Sequence, residues 1–128
     1  LALKDARTNE DEVDYINFHG TSTLINDKVE TMAVKNTFNG KAMNIPSSST
    51  KSMIGHPQGA SGALGVTVSA LSLKNGFMTP TINMENPDPE CDMDYVSNFG
   101  REKRINVAIS NCISFGSKNS AIVLKRFE

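Results

Sequence analysis

The sequence has no tryptophan, only two cysteines and two histidines, and 13 basic side chains against 14 acidic ones in 128 residues. Each scarcity excludes something. Balanced charge leaves no basic footprint for nucleic acid. Cys91 and Cys112 have no framework spacing, which suits a reducing compartment and a fold held by its core. A chain of this length buries roughly two-thirds of its unfolded surface, enough without disulfides. Two histidines without a convergent cysteine or carboxylate cluster argue against zinc, and no metal is expected. The least polar long run, Ala60 to Leu73, is interrupted by Ser61, Thr67, Ser69 and Ser72 and is too short to span a membrane. No signal peptide is expected, and the sequence holds no P-loop or G-x-G-x-x-G. The chain opens at Leu1 in LALKDAR, which reads as the tail of a helix, so a piece of a longer protein is expected.

What is there reads as α/β. Val13 to Phe18 alternates apolar and polar residues rich in strand formers and predicts a strand. It stops at His19-Gly20. Thr21 to Asn26 is a polar loop, and a helix begins at Asp27 with Val29, Met32, Ala33 and Phe38 on a common face, closed by Asn39-Gly40. Ile45 to Ser52 is a short Ser/Thr-rich segment that runs into Gly55-His56. A second long helix covers about Gln58 to Asn75, with Gly76 as its C′ residue. Phe77 to Asn83 is extended, and Asn86-Pro87-Asp88-Pro89 is loop. Arg104 to Phe115 and Ser120 to Phe127 predict two strands joined by a turn at Gly116 to Asn119. Two strand-helix units and a hairpin give a mixed sheet, parallel strands plus an antiparallel edge pair.

The chemistry-bearing residues sit at the handovers. Both histidines, His19 and His56, touch a glycine where a strand-like segment gives way to a helix, the place where open α/β sheets bind ligands. A lone histidine is usually structural; two in matched positions point to a site. Lys51, five residues before His56, is either a solvated lysine or a cation that keeps His56 neutral. Neutral imidazole N–H groups suit a carbonyl turning into an enolate or oxyanion, as in thioester chemistry. Gly59-Ala60-Ser61-Gly62 is one residue wrong for a G-x-S-x-G elbow, so Ser61 is a poor nucleophile candidate. Gly59, Gly62 and Gly65 read as a closely packed helix face. Cys91, between Glu90 and Asp92, and Cys112, in an apolar run, sit where a thiolate is disfavoured and are assigned structural roles.

His19-Gly20-Thr21-Ser22-Thr23 with Asn26-Asp27 and Glu30 resembles the first histidine motif of β-ketoacyl-acyl-carrier-protein synthases. Ser49-Thr50-Lys51-Ser52-Met53-Ile54-Gly55-His56 resembles their second. PTINMENPDPECDMDYV resembles their P-T-x-N-x-x-x-P-D stretch, and SNCISFGSKNSAIVL their C-terminal glycine-rich hairpin. The four motifs are collinear from about Ala2 to Arg126. The resemblance implies a thiolase-like fold, with residues 1–128 as one domain, the C-terminal half of such a synthase. It implies a decarboxylating Claisen condensation in fatty acid or polyketide biosynthesis, in which an acyl-enzyme is extended by malonyl-acyl-carrier protein. In that chemistry His19 and His56 would hydrogen-bond the malonyl thioester carbonyl, and Lys51 would support the second histidine. Thr21 and Thr23 would contact the phosphopantetheine arm, and Phe115 with Gly116 would belong to the gating loop. No cofactor is implied beyond the carrier protein's phosphopantetheine.

Three departures stand out. The cysteine nucleophile of the family belongs to the N-terminal half, and neither Cys91 nor Cys112 matches it, so the fragment alone is expected to be inactive. Gly65 stands where the fatty-acid enzymes carry a glutamate that pairs with the lysine, which leaves Lys51 without that partner. G-F-G-G becomes Ser114-Phe115-Gly116-Ser117, and a serine at a positive φ would cost about 1 kcal/mol. Gly65 and the hairpin resemble polyketide-type members more than housekeeping ones. Expected partners are the acyl carrier protein, the N-terminal half of the same synthase, and a second subunit in a homodimer or ketosynthase heterodimer. The expected location is the cytoplasm, or a plastid-type organelle in a eukaryote. The rival reading is a non-catalytic, chain-length-factor-like partner subunit.

Overall fold

The computed structural model describes residues 1–127. Helix α1 (Ala2–Asp5) precedes strand β1 (Tyr15–Asn17). Then come α2 (Asn26–Phe38), β2 (Ser47–Ser48), the one-turn α3 (Lys51–Ile54) and α4 (Ser61–Asn75). The rest is β3 (Phe77–Met78), β4 (Arg101–Glu102), β5 (Val107–Cys112) and β6 (Ser120–Lys125). Four strands form one sheet in the order β2-β1-β5-β6. β1 runs parallel to both neighbours, with Ile16 opposite Ser47 and Ile109. β6 closes the edge antiparallel to β5, from Val107 opposite Lys125 to Cys112 opposite Ser120. This is the expected thiolase-like mixture of parallel strands and a C-terminal hairpin. The expectation did not include β3 pairing antiparallel with β4, which makes a separate two-stranded sheet.

The sheet is covered on both faces, so β1 is buried throughout rather than half-exposed. Ile16, Phe18, Val107 and Ile109 meet Val34 and Phe38 of α2 on one side. Tyr15 and Ala108 meet Leu73 of α4, Met78 and Ile105 on the other. Full burial of an aliphatic side chain such as Ile16 contributes about 1.5–3 kcal/mol. Helix α4 lies very close to the sheet: a Cβ at Gly65 would stand 2.6 Å from Ser110 Oγ and 3.2 Å from Asn17 Oδ1. A Cβ at Gly62 would stand 3.7 Å from Cys112 Sγ, whereas Gly59 faces open space and does not belong to the packed face. Gly76, at φ +64°, ends the helix as its C′ residue, its N–H bonded to Ser72 O at 2.9 Å.

The inward face of α2 differs from expectation. Glu30, Thr31, Val34 and Phe38 are buried, while Val29 and Met32 are 47% and 55% exposed. Periodicity selects the most apolar stripe, but the strand end needs hydrogen-bond acceptors, and Glu30 supplies them. Lys28 pairs with Asp88 and Glu90, and Lys35 with Asp92, which tethers the acidic loop to α2 in water-screened contacts. Between β5 and β6 a 3₁₀ turn spans Phe115–Ser117, with Gly116 at φ +73° and Ser117 at φ +60°. Ser117 thus takes the strained conformation expected of that substitution. No helix among the described residues is long and apolar enough to cross a membrane.

Candidate functional site

The carboxyl end of β1 delivers His19. Phe18 N–H still bonds Ser48 O at 2.8 Å, and the chain then turns through Gly20 at φ +41°. A Cβ there would lie 2.5 Å from Ser49 Cβ, so only glycine allows the turn to press against the end of β2. Ser49 Oγ donates to Gly20 O at 2.7 Å and locks the two loops together. Underneath sits Glu30, 2% exposed. One of its oxygens accepts His19 N–H at 2.8 Å, the other Gly20 N–H at 2.9 Å. Asn111 and Asn26 amides complete the shell at 3.2 and 3.4 Å. Burial pushes the Glu30 carboxyl upward in pKa, and these four donors oppose that shift.

His56 arrives from the other side. After β2 the chain forms α3, turns at Gly55 (φ +74°) and presents His56 to solvent. Its Nδ1 lies 3.1 Å from the backbone N–H of Gln58 and 3.0 Å from Ser61 Oγ. A backbone N–H can only donate, so Nδ1 accepts, and the neutral ring carries its proton on Nε2. The two imidazoles meet edge to face, with ring centroids 5.5 Å apart and planes at 84°. His19 is 6% exposed, and its buried Nδ1 has no partner among the described residues. Burial first, then the charges of Lys51 and His56, lower its pKa to about 4. It is therefore neutral at physiological pH.

Lys51 opens α3 and is half-buried. Burial lowers its pKa, and the charge of Glu30 works against that. The carboxylate acting on Lys51 thus comes from α2, not from position 65, where the close packing of α4 on Ser110 leaves no room for a longer side chain. The Lys51 charge also acts on His19, whose pKa it lowers. Thr21 and Thr23 hydroxyls lie 3.2 Å apart. With Gly20, Asp27, Lys51 and Thr81 they line a cavity of about 500 Å³ whose other walls include Phe18, Leu24 and Met84. Ser22, between them at φ +56°, donates its N–H to Asp27 at 3.1 Å.

Phe115 and Gly116 lie elsewhere. Phe115 is fully exposed and lines a broad apolar groove of about 1,880 Å³ with Leu24, Ile25 and Val29. Thr23 lines both spaces. Cys91 and Cys112 are half-buried free thiols. The structure therefore brings His19 and His56 together with Lys51 acting on His19, and places Phe115 on a different space. Two contributors carried no role in the sequence reading. Glu30 is the only acidic residue past the first turn of α2, and Ser61 is the hydroxyl that opens α4, five residues after His56.

Residues 1–85 match the β-ketoacyl synthase C-terminal domain family. The chain is 47% identical over 125 residues to 3-oxoacyl-[acyl-carrier-protein] synthase 2 of Coxiella burnetii, covering 98% of this chain and 30% of that protein. It is 47% identical over 125 residues to the tetracenomycin polyketide synthase ketoacyl synthase alpha subunit of Streptomyces glaucescens, covering 98% of this chain and 29% of that subunit. A solved complex of a type II polyketide synthase acyl-carrier protein with its ketosynthase bound to the hexaketide contains a chain similar to this one. The TM-score is 0.94 at 38% identity, over 99% of this chain and 31% of that one. The chain thus spans about 30% of the length of the relatives it matches.

Proposed function

The chain belongs to the β-ketoacyl synthase family, as a C-terminal portion, and from that premise we propose that it supplies the two-histidine half of a decarboxylating condensation site. Its identity to a 3-oxoacyl-carrier-protein synthase equals its identity to a polyketide ketosynthase. The proposal is therefore made at the level these two share: an acyl group on the enzyme is extended by a malonyl unit on acyl carrier protein.

One observation carries the reading: two imidazoles, one from the end of β1 and one from the turn after α3, converge edge to face. Decarboxylation breaks the bond between the malonyl α-carbon and its carboxylate. Carbon dioxide leaves, and the electron pair moves onto the thioester carbonyl as an enolate. An N–H from each ring, Nε2–H in the case of His56, donates to that oxygen as charge develops. The enolate carbon then attacks the acyl thioester held on a cysteine of the rest of the protein. A carbon–carbon bond forms, and the cysteine leaves as thiolate. Neutral rings suit this task because they donate without giving up a proton. Lys51 helps to keep His19 neutral. Thr21 and Thr23 hydroxyls, on the cavity that Gly20 and Lys51 also line, hold the amides of the phosphopantetheine arm. Phe115 and Gly116 form the gating turn once the N-terminal half is in place, and no cofactor takes part besides that arm. A non-catalytic partner subunit has no chemical need of two converging imidazoles, which sets the rival reading second.

The test uses the full-length protein that carries this chain. His19→Ala and His56→Ala are each expected to slow carbon dioxide release from malonyl-carrier protein by at least roughly 10²-fold. Acylation of the nucleophile should stay within a few-fold of wild type. Decarboxylation unchanged in either variant overturns the assignment.

A further inference from the structure

The first residue of α4 reaches back to the exposed histidine. Ser61 is 7% exposed, and its Oγ stands 3.0 Å from His56 Nδ1. No side chain caps this helix start, so the hydroxyl is not committed to the helix. Gln58 N–H aims at the same nitrogen from 3.1 Å. Because that backbone donor cannot reverse, Nδ1 has to stay bare, and the Ser61 hydroxyl donates to it as well. The two donors differ in what stands behind them. Gln58 lies in an exposed 3₁₀ turn at φ +45°. Ser61 is anchored on the helix that packs through Gly62 and Gly65 directly onto β5 and β1.

We propose that Ser61 is a positioning residue for His56, holding the ring plane and the Nε2–H tautomer by tying Nδ1 to the rigid helix–sheet contact. This rests on the role given to His56 above. A turn alone lets an exposed ring swing about its side-chain bonds; a second donor from a buried helix start removes that freedom. The consequence is an Nε2–H pre-aimed at the carbonyl, which matters because a fixed donor costs no reorganisation during reaction. Ser61 itself touches no reacting atom, and its effect is confined to the step that His56 serves.

The experiment compares Ser61→Ala and Ser61→Cys with wild type in the full-length protein. The cysteine variant keeps side-chain volume while offering only a weak donor, so it covers the case in which alanine perturbs the fold. Both are expected to slow malonyl decarboxylation roughly threefold to tenfold, the worth of one neutral hydrogen bond. The ratio of decarboxylation to nucleophile acylation should fall by the same factor. In long-range nitrogen–proton spectra of histidine-labelled protein, the His56 Nδ1 signal, identified by its loss in His56→Ala, should move downfield as its donor disappears. Wild-type decarboxylation in Ser61→Ala, full activity in Ser61→Cys, or an unmoved Nδ1 signal overturns the proposal. If His56→Ala also decarboxylates normally, the underlying role of His56 falls; if His56→Ala is dead and Ser61→Ala is silent, only the Ser61 role falls.

Discussion

Glu30 grips the backbone of His19, accepting its N–H at 2.8 Å on one oxygen while the other takes Gly20 N–H at 2.9 Å. A carboxylate from the second turn of α2 thereby fixes the loop that turns the first histidine into the site. Without it the buried His19 N–H would have no acceptor and the half-buried Gly20 N–H would lose its own, which is costly. Glu30→Gln removes one acceptor and aims an amide N–H₂ at the donors. We expect it to destabilise the full-length protein by about 2–4 kcal/mol, read as a lowered urea midpoint. A change under about 1 kcal/mol would show that the loop holds itself.

His19 should stay neutral well below ordinary histidine behaviour. An unfolded chain takes up a proton at this side chain near pH 6.5, the folded chain only near 4. Between those values the unfolded state binds more protons, so stability rises with pH. The contribution is complete above about 6.5, falls as pH drops, and is gone below about 4. Burial is the main cause and the Lys51 charge the next, so Lys51→Met should move the titration midpoint upward. Nitrogen-15 titration of the imidazole checks both statements. An imidazolium at His19 already present near pH 6.5, or a downward move in the lysine variant, contradicts them.

The parts of this molecule that were legible before folding are those where one residue type has one physical use. Gly76 closes α4, His19 follows the end of β1, and the hairpin follows from two β-rich runs around a glycine turn, whereas His56 follows the one-turn α3 rather than a strand. What escaped was decided by tertiary demand. Val29 and Met32 look like core by period, yet they face outward because Glu30 and Thr31 are needed beneath the His19 loop and beside Tyr95. Pairing of β3 with β4 rests on two residues from each strand, too few for a pattern. Gly65 reads alike as a missing glutamate or a packing glycine, and only the 2.6 Å that would separate a Cβ there from Ser110 Oγ decides for packing. Ser61 resembled a misplaced nucleophile because spacing alone cannot tell a reacting hydroxyl from one that steers a neighbouring ring.

The two thiols offer the last expectation. A nucleophilic cysteine needs a base or cation that draws off its proton. Neither histidine provides one here: His56 Nδ1 is taken by Gln58 and Ser61, and His19 Nδ1 has no partner among the described residues. Cys112 is turned toward Gly62 of α4, where its sulfur fills the contact between helix and sheet. Cys91 belongs to the loop that Lys28 and Lys35 pin to α2 through Asp88, Glu90 and Asp92, so the nearby cations are already paired with carboxylates. The 128-residue chain incubated with an acyl thioester should therefore gain no mass at either cysteine and release no ketoacyl product. Intact-mass and peptide mass spectrometry read this directly. Stable acylation of Cys91 or Cys112 would mean that this half carries its own nucleophile, and the division of labour argued above would have to be redrawn.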